Sequence, residues 1–458
     1  MDVNIEEKIK QFESDGIKQV KLALTDIDGI LRGKYISLEK FRSVAQGTGG
    51  FCDCVFGWDM ADELYDNTTY TGWHTAFPDA LYRIDLSSER RLSDEGGIPF
   101  YICEFIGDEN ETPHSICPRS LFRRILARAE GLGFGVNLAF EYEFFVFRET
   151  PHSVREKNYQ NLTPLSPGMF GYSVLRTNWL SDLFNEFMDY MRGLDIELEG
   201  LHCETGPGVW EAAIMYDVGM NGVDKASLFK TFAKTFFLKR EMMATFMAKW
   251  SLKYPGQSGH FHHSLFNLKS GRSAFYDKSN PHNMSREMRS FLAGVQKYMR
   301  PFLAMYAPSI NSYTRLVKGA WAPTSATWGV DNRTTAVRAI PGSEKSQRIE
   351  FRTSAADGNP YLVAAAVLGA GIKGLEENLP LTDPVEGNAY DVQDDLPEEF
   401  TLPTSLGEAA RIFSRSAEAV DLFGKEFVDH YANTRLWEVR EHAKQITDWQ
   451  LNRYFEII

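Results

Sequence analysis

Residues 140–147 read FEYEFFVF, a stretch in which two carboxylates alternate with bulky apolar side chains. In a β-strand, residues i and i+2 point to the same side. Glu141 and Glu143 therefore share one face of a predicted strand, and the aromatic and aliphatic residues around them form the other face. A strand of this kind buries its apolar face, and its two adjacent carboxylates need water or a counter-charge.

Two later segments have the same pattern, GHFHHS at 259–264 and RIEFR at 348–352. The polar residues that share a face are His260 and His262 in the first segment, and Arg348, Glu350 and Arg352 in the second. A single strand of this type is equally well explained as the solvent-facing side of a sheet. Three such strands, each with apolar residues on the opposite face, favour a common polar interior.

Carboxylates that share a cleft repel one another and are costly to desolvate, and a divalent cation removes both problems. Several carboxylates with an imidazole and no thiolate suit Mg²⁺ or Mn²⁺. The segment ETGPGVWE adds Glu204 and Glu211 on either side of a Gly-Pro-Gly turn. Residues 332–352 then concentrate fixed positive charge, at Arg333, Arg338, Lys345, Arg348 and Arg352. Metals and arginines together are typical of sites that neutralise polyphosphate during phosphoryl transfer.

The composition limits the class of protein. A chain of 458 residues exceeds one ordinary core, which predicts two domains. The net charge of −13 argues against nucleic-acid or anionic-membrane partners, which need an extended basic surface. The five cysteines show no zinc spacing, which favours reduced thiols. With no signal-peptide pattern and no apolar run long enough to span a bilayer, we expect a cytoplasmic protein.

Two units follow along the chain. Residues 1–112 read as a small mixed unit, with a helix that ends at Gly16 and a hairpin around Asp28-Gly29. A charged, turn-rich stretch at 107–114 precedes the second unit, residues 113–458, where strand-like and helical runs alternate before a mainly helical last hundred residues. The pattern predicts an α+β fold.

One motif argues for a different function and is set aside. GAGIKG at 369–374 matches G-x-G-x-x-G, the pattern of a dinucleotide-binding turn. It follows an Ala-rich helical run and not a strand, so we do not expect it to bind a dinucleotide. No G-x-x-x-x-G-K-[ST] loop occurs either.

At these residues the sequence resembles the glutamine synthetase family, which includes γ-glutamyl ligases for polyamines, alkylamines and anilides. The segments FEYEFFVF, ETGPGVWE, GHFHHSLF, NSYTRLV, DNRTTAVRAIPGSEKSQRIEFR, GNPYLVAAAVLGAGIKGLE and ITDWQLNRYFEI look like family signatures in the family's order. The resemblance implies a small N-terminal β-grasp domain and a large catalytic domain with a funnel-like antiparallel sheet. It also implies homo-oligomeric rings, expected to be dodecamers, in which a neighbour's N-terminal domain completes each site.

The resemblance also implies roles for matching residues, with ATP and two or more Mg²⁺ or Mn²⁺ ions per site. One metal would be held by Glu143, Glu204 and Glu211, and the other by Glu141, His260 and Glu350. Glutamate would be bound by Arg315, Arg352 and Gly256, and the phosphoryl group in transfer by Arg333. ATP would face His262, Ser264, Arg338, Lys345 and Arg348.

Three segments depart from the family pattern. PGQSG at 255–259 replaces Asn-Gly-Ser-Gly, which puts the glutamate contact of Gly256 in question. GWDMADE at 57–63 replaces the Asp-Gly-Ser-Ser loop that helps bind ammonium, and Asp59 is the nearest match to its catalytic Asp. KGAWAP places Trp321 where glutamine synthetases have a flap Glu, and Lys318 where they have Pro.

The sequence therefore predicts an ATP-dependent ligase that joins the γ-carboxylate of L-glutamate to a small primary amine. Because an indole cannot take a proton, Trp321 favours an amine with a carbon part over ammonium. The alternative is an ammonia-using glutamine synthetase in which Trp321 only packs the flap. A catalytically inactive homologue is a third reading, and the complete set of metal ligands argues against it.

Overall fold

A computed structural model describes residues 4–107 and 112–458. The strands are β1 Gln19–Thr25, β2 Leu31–Ser37, β3 Gly49–Cys52, β4 Asp79–Ile84, β5 Arg90–Leu92, β6 Ile98–Phe105, β7 Phe134–Phe147, β8 Leu198–Cys203, β9 Val209–Ile214, β10 Asp217–Val218, β11 Met243–Thr245, β12 Gly259–Asn267, β13 Trp328–Val330, β14 Val337–Ile340 and β15 Arg348–Phe351. The α-helices are α1 Ile5–Ser14, α2 Leu38–Ala45, α3 Pro118–Gly131, α4 Pro151–Glu156, α5 Val174–Trp179, α6 Ser181–Gly193, α7 Met220–Leu238, α8 Arg286–Tyr306, α9 Ser312–Arg315, α10 Pro360–Glu376, α11 Ala389–Val392, α12 Leu406–Arg415, α13 Ala417–Phe423, α14 Lys425–Ala443 and α15 Asp448–Tyr454.

The first sheet has the strand order β2-β1-β6-β4-β3, with β5 beside β6. Strands β1 and β6 are parallel and the other pairs are antiparallel. The predicted hairpin is confirmed, because β1 pairs with β2 around a turn in which Gly29 has a φ of +83°. Only glycine adopts that conformation without strain. The predicted first helix is also confirmed, and it begins at the Asn4 side-chain cap.

The second sheet has the order β13-β14-β15-β12-β7-β9-β8, with β10 and β11 beside β7. Its pairs are antiparallel except for β13 and β14. Strand β12 pairs with both β7 and β15. The three strands that the sequence predicts to have polar faces are therefore neighbours, which confirms the prediction of one shared polar face.

The opposite face of this sheet is apolar and packs on helices. The rings of Phe140 and Phe261, on β7 and β12, lie 4.8 Å apart, and Tyr142 stacks on Phe229 of α7 at 6.0 Å. All four side chains are buried. Burial of an aromatic or aliphatic side chain contributes about 1.5–3 kcal/mol, so this layer fixes which face of the sheet points into the site.

The glycine-rich stretch at 369–374 lies inside α10 and serves helix packing. A Cβ on Gly371 would lie 2.1 Å from the ring of Phe291 on α8, and one on Gly374 would lie 2.1 Å from the carbonyl oxygen of Ser290. The glycines let two buried helices approach closely, and the stretch lies within a helix, as the Ala-rich run before it indicates. Among the described residues, no helix has the length and apolar character that a membrane span requires.

The domain boundary predicted between residues 112 and 113 adjoins residues 108–111, which lie outside the described residues. The first sheet ends at Phe105 and the second begins at Phe134. The division of the chain at this point stays a prediction.

Candidate active site

The polar face of the second sheet lines a cavity of about 540 Å³. All six residues predicted as metal ligands line it: Glu141, Glu143, Glu204, Glu211, His260 and Glu350. The residues predicted to bind glutamate and the phosphoryl group line it too, namely Arg315, Arg352, Gly256, Trp321 and Arg333. Residues that are more than 200 positions apart in sequence are thus brought to one chamber.

Strand register places the acidic and imidazole groups side by side. Glu141 on β7 lies opposite His260 on β12, and Glu143 lies opposite Glu211 on β9. Glu211 in turn lies opposite His202 on β8. Cross-strand neighbours have Cβ atoms about 4.5–5.5 Å apart, so side chains in each row can reach a common ion.

Two groups of side chains have ligand atoms within 4.8 Å of one another. One group is Glu141, His262 and Glu350, and the other is His202, Glu204 and Glu211. Each group overlaps with one of the predicted metal sites but substitutes a different residue, His262 for His260 and His202 for Glu143. His262, predicted to face ATP, also donates a hydrogen bond from Nε2 to Glu141 Oε2 at 2.9 Å.

Carboxyl groups crowd one another at the centre of the cavity. Burial, a hydrogen bond with Glu141 and the nearby charges of Glu143 and Glu204 raise the pKa of Glu211 to about 11. Burial also tends to raise the pKa of Glu141, but hydrogen bonds from Glu211 and His262 outweigh it, and the net change is downward. In the protein alone, Glu211 therefore holds a proton that it shares with Glu141. A divalent cation can replace that proton, so the residues fit a metal site.

His260 offers a free ligand atom in the same place. Its Nδ1 lies 3.4 Å from Glu350 Oε1, and its buried Nε2 has no hydrogen-bond partner among the described residues. Burial lowers the pKa of His260 to about 3, so its ring is neutral at physiological pH. A neutral imidazole with an unpaired nitrogen is the form that binds a metal.

Glu350 is buried between two arginines. Its carboxylate accepts a hydrogen bond at 2.9 Å from Arg338 and another at 2.5 Å from Arg352. Burial opposes ionisation, but the contacts with His260 and with the guanidinium of Arg352 lower the pKa of Glu350 to about 2. Strand alternation suggests Arg348 as the second partner of Glu350. The pairing of β14 with β15 instead brings Arg338 opposite Glu350, and Arg348 contacts His262 Nδ1 at 3.4 Å.

Arg315 is held rigidly at the inner end of the cavity. Its guanidinium donates to the carbonyl oxygen of Thr353 at 2.9 Å and to Ser258 Oγ at 2.8 Å. Burial lowers the pKa of Arg315 to about 10, which still leaves it charged at neutral pH. A Cβ on Gly256 would lie 2.6 Å from Arg315 Cγ, so glycine is required there by the arginine.

A second cavity of about 370 Å³ lies on the other side of Glu141. It is lined by four of the residues predicted to face ATP: His262, Ser264, Lys345 and Arg348. The fifth, Arg338, lines the first cavity instead, where it also pairs with Asp331 at 2.9 Å. Arg333 makes no ion pair or hydrogen bond within the part of the chain that the structure describes, which leaves its charge available for a ligand.

The polar sheet face becomes apolar at one end of the first cavity. Along β7, Glu141 and Glu143 are followed two residues later by Phe145, which pairs with Val209 on β9. Phe145 and Val209 both line the cavity. Trp321 lines it too, with 65% of its surface exposed and a φ of +59°. Bulky residues rarely adopt this left-handed conformation, and strained residues concentrate at functional sites.

Asp59 lies outside both cavities. Its Oδ1 accepts hydrogen bonds from the backbone N–H groups of Ala61 at 2.8 Å and Glu63 at 2.9 Å, which shapes the loop after β3. The structure therefore does not bring Asp59 to the site within this chain, and its predicted catalytic role requires another subunit.

His202 and Tyr172, beside the carboxylates, are among the site residues that the sequence-based prediction lacks. His202 lies 3.3 Å from Glu204 and 3.8 Å from Glu211, and its ring stacks on Tyr172 with 4.3 Å between centroids. The alternation of His202 with Glu204 was a usable signal. Tyr172 belongs to an irregular loop, so no periodicity points to it.

Comparison with known proteins agrees with this geometry. Residues 115–454 match the glutamine synthetase catalytic domain. The chain is 45% identical to type-1 glutamine synthetase 2 of Dictyostelium discoideum over 96% of this chain and 84% of that protein. It is 38% identical to the glutamate–isopropylamine ligase of a Pseudomonas species over 98% of both chains.

A solved structure described as apo GmaS without ligand has the same fold. It superposes with a TM-score of 0.83 at 23% identity, over 98% of this chain and 99% of that one. The predicted fold class is confirmed by this likeness and by the curved, mainly antiparallel sheet. Members of the family use ATP and divalent metals. The chain belongs to the glutamine synthetase family of ATP-dependent carbon–nitrogen ligases, among which it resembles the glutamate–amine ligases.

Proposed function

We propose that this protein joins the γ-carboxylate of L-glutamate to a small primary amine at the expense of ATP. In the first step a γ-carboxylate oxygen attacks the terminal phosphorus of ATP, and ADP leaves. In the second step the amine nitrogen attacks the carbonyl carbon of the γ-glutamyl phosphate, and phosphate leaves with the electrons of the C–O bond. A proton is then lost from the nitrogen.

The cavity residues have complementary roles in the first step. We assign one metal to Glu143, Glu204 and Glu211 and another to Glu141, His260 and Glu350, with His202 and His262 as adjacent ligands. Divalent cations held there offset charge on the phosphate oxygens. Arg333 makes no hydrogen bond or ion pair among residues 4–107 and 112–458, and it would bind the phosphoryl group in transfer. Fixed donors of this kind stabilise charge without reorganising during the reaction.

We assign the two substrates to the two cavities, which share Glu141 as a wall. Arg315, with Arg352 and Gly256, would hold glutamate in the first cavity. The nucleotide would occupy the second cavity, with His262, Ser264, Lys345 and Arg348 around its phosphates and Arg338 reaching it from the first. The shared wall at Glu141 is where the two substrates would meet.

The apolar end of the sheet face is the observation that supports an amine as the acceptor. An acceptor nitrogen beside the carboxylates would leave its carbon atoms between Trp321 and the Phe145–Val209 pair. Each Å² of apolar surface that leaves water there contributes about 25 cal/mol. Ammonium has no carbon to place in this space, and Trp321 cannot accept its proton. We assign proton removal to Asp59 of a neighbouring subunit.

An ammonia-using glutamine synthetase is the second candidate. The 45% identical relative from Dictyostelium discoideum bears that name, and this observation favours the alternative. The amine reading differs in one measurable respect, the ratio of catalytic efficiencies for an alkylamine and for ammonium.

The test is phosphate release with glutamate and ATP across a panel of ammonium, methylamine, ethylamine, isopropylamine and ethanolamine. We expect a small primary amine to have the highest kcat/KM, and Trp321→Glu to shift the ratio toward ammonium. Trp73→Glu, which places the same charge at an exposed tryptophan outside both cavities, should leave the ratio unchanged. If ammonium exceeds every amine tenfold or more, about 1.4 kcal/mol in the barrier, the protein is a glutamine synthetase.

A further inference from the structure

Residues 385–395, here called the brace, contact two different loops of the active site. One is the loop at 332–334, which contains Arg333. The other is the flap at 316–324, which contains Trp321. The brace includes the short helix α11, and it was not singled out by any sequence motif.

The first half of the brace is bound to the Arg333 loop. The Nδ2 of Asn332 donates to the carbonyl oxygens of Gly387 at 2.7 Å and Val385 at 3.1 Å. The backbone N–H of Ala389 donates to Thr334 Oγ1 at 2.9 Å. The residues on both sides of Arg333 are therefore fixed to the brace, while the Arg333 side chain makes no hydrogen bond or ion pair with any residue that the structure describes.

The second half of the brace is bound to the flap. The hydroxyl of Tyr390 donates to the carbonyl oxygen of Ala322, the residue after Trp321, at 3.0 Å. Thr324 Oγ1 donates to Gln393 Oε1 at 2.5 Å. Lys318 also lies 3.2 Å from Asp394, but both side chains are largely exposed, and ion pairs of that type contribute little.

Tyr390 is the contact that bears most directly on Trp321. It is half-buried, and its hydroxyl holds the backbone one residue from Trp321, whose left-handed conformation needs support from its surroundings. Helix α11, capped by Asn388, is a compact link between the two sets of contacts.

We propose that the brace couples the phosphoryl-binding loop to the acceptor flap, with Tyr390 as the positioning residue that keeps the flap closed over the acyl phosphate. This inference rests on the proposed roles of Arg333 and the flap, but it holds for an amine or an ammonium acceptor alike. A closed flap excludes water while the nitrogen acceptor binds. With a loosened flap, a water oxygen attacks the carbonyl carbon of the γ-glutamyl phosphate, the C–O bond to phosphate breaks, and glutamate and phosphate are released without amide.

The test is Tyr390→Phe, which removes one hydroxyl and little else. Loss of one hydrogen bond predicts a threefold to tenfold increase in the KM of the best acceptor. We expect the ratio of phosphate to amide to rise above one, while the KM values for glutamate and ATP stay within twofold. Tyr431→Phe is the matched control. The hydroxyl of Tyr431 also donates to a backbone carbonyl oxygen, that of Ala304 at 2.8 Å, and this residue lies outside both cavities.

A second variant tests coupling between the two halves. Thr334→Val is nearly isosteric and removes the acceptor for Ala389 at the Arg333 loop. If the brace transmits position, the double variant with Tyr390→Phe should raise the acceptor KM by less than the product of the two single effects. Multiplicative effects would show that the loops act independently and would overturn the proposal.

Two further outcomes separate this inference from the proposed function. If Tyr390→Phe behaves like Tyr431→Phe, with phosphate and amide still equal, the brace has no role in closure. If ammonium is the best acceptor, the same ratio measured with ammonium tests the brace, and only the amine assignment is lost.

Discussion

The carboxyl groups of Glu141 and Glu211 are within hydrogen-bonding reach of each other, which requires one of them to be protonated. Because burial and neighbouring carboxylates raise the pKa of Glu211, the proton stays bound at neutral pH in the metal-free protein. Metal binding needs the ionised form. We therefore predict that binding of Mg²⁺ or Mn²⁺ releases about one proton per site near pH 7, and that metal affinity increases as pH rises.

Proton release is measurable by isothermal titration in buffers of different ionisation enthalpy. Glu211→Gln removes the group that holds the proton, so this variant should bind metal more weakly and release no proton. Equal release from the wild-type protein and from Glu211→Gln would contradict the assignment of the proton to this pair.

At the scale of strands, alternation predicts what lies on one strand but not what lies opposite it. The shared faces of Glu141 with Glu143 and of His260 with His262 follow from a period of two and are confirmed by the register. The pairing of Glu350 with Arg338 depends on how β14 aligns with β15, which no local pattern encodes. For the same reason the sequence does not separate His260 from His262 as the partner of Glu141.

Loops are less predictable than strands, for a related reason. The resemblance to the family locates Trp321 and Asp59, but the backbone beside Trp321 accepts a hydrogen bond from Tyr390 of the brace, about 70 residues later in the chain. The position of Asp59 depends on backbone N–H groups in its own loop. Such contacts join segments without periodicity, so neither composition nor spacing reveals them.

Helix α3 contains a buried ion network that predicts a large effect on stability. The guanidinium of Arg119 is completely buried and bonds to Glu104 on β6 at 2.8 Å and to Asp224 on α7 at 2.8 Å. Arg119→Met would leave the buried Asp224 without its guanidinium partner, and Glu104 would keep only Arg123 of its two arginines. We expect a loss of about 3–5 kcal/mol in the free energy of unfolding, measured by urea denaturation.

Arg128→Met is the control on the same helix. Arg128 is partly exposed and pairs with Glu376 at 2.7 Å and Asp421 at 3.0 Å near the surface. Its loss should cost less than about 1 kcal/mol. The Arg119 network links β6 of the first sheet to helices α3 and α7. Similar unfolding midpoints for the two variants would mean that this link contributes little to stability.

At the scale of the molecule, the residues before and after position 112 are joined by buried polar contacts. Arg435 on α14 lies 2.7 Å from Asp28 in the first hairpin, and both side chains are almost fully buried. Asn359, which caps α10, donates to the carbonyl oxygen of Ile27 at 3.2 Å. These contacts fix the hairpin against the helical part of the chain. The sheet that precedes the Asp59 loop is therefore held in a fixed position.

Large apolar side chains near the end of the chain are exposed to solvent in a single copy of the protein. Residues 446–458 expose seven large apolar side chains, Ile446, Trp449, Leu451, Tyr454, Phe455, Ile457 and Ile458. Contiguous apolar surface of this kind marks interaction sites. Together with the position of Asp59 outside both cavities, it supports the proposal of a homo-oligomeric ring whose sites are completed by neighbours.

We predict an assembly of about twelve chains of 52.0 kDa each, and a smaller one when residues 446–458 are removed. The physical reason is that these side chains gain about 25 cal/mol for each Å² that a second copy covers. Light scattering with size-exclusion chromatography measures both masses. Leu252→Ser, which changes a leucine that is 85% exposed, is the control and should leave the mass of the assembly unaltered.

If the protein without residues 446–458 forms an assembly of the same number of chains, other surfaces hold the ring together. If the full chain is an active monomer at assay concentration, Asp59 cannot act across subunits and the proton must leave by a route within one chain.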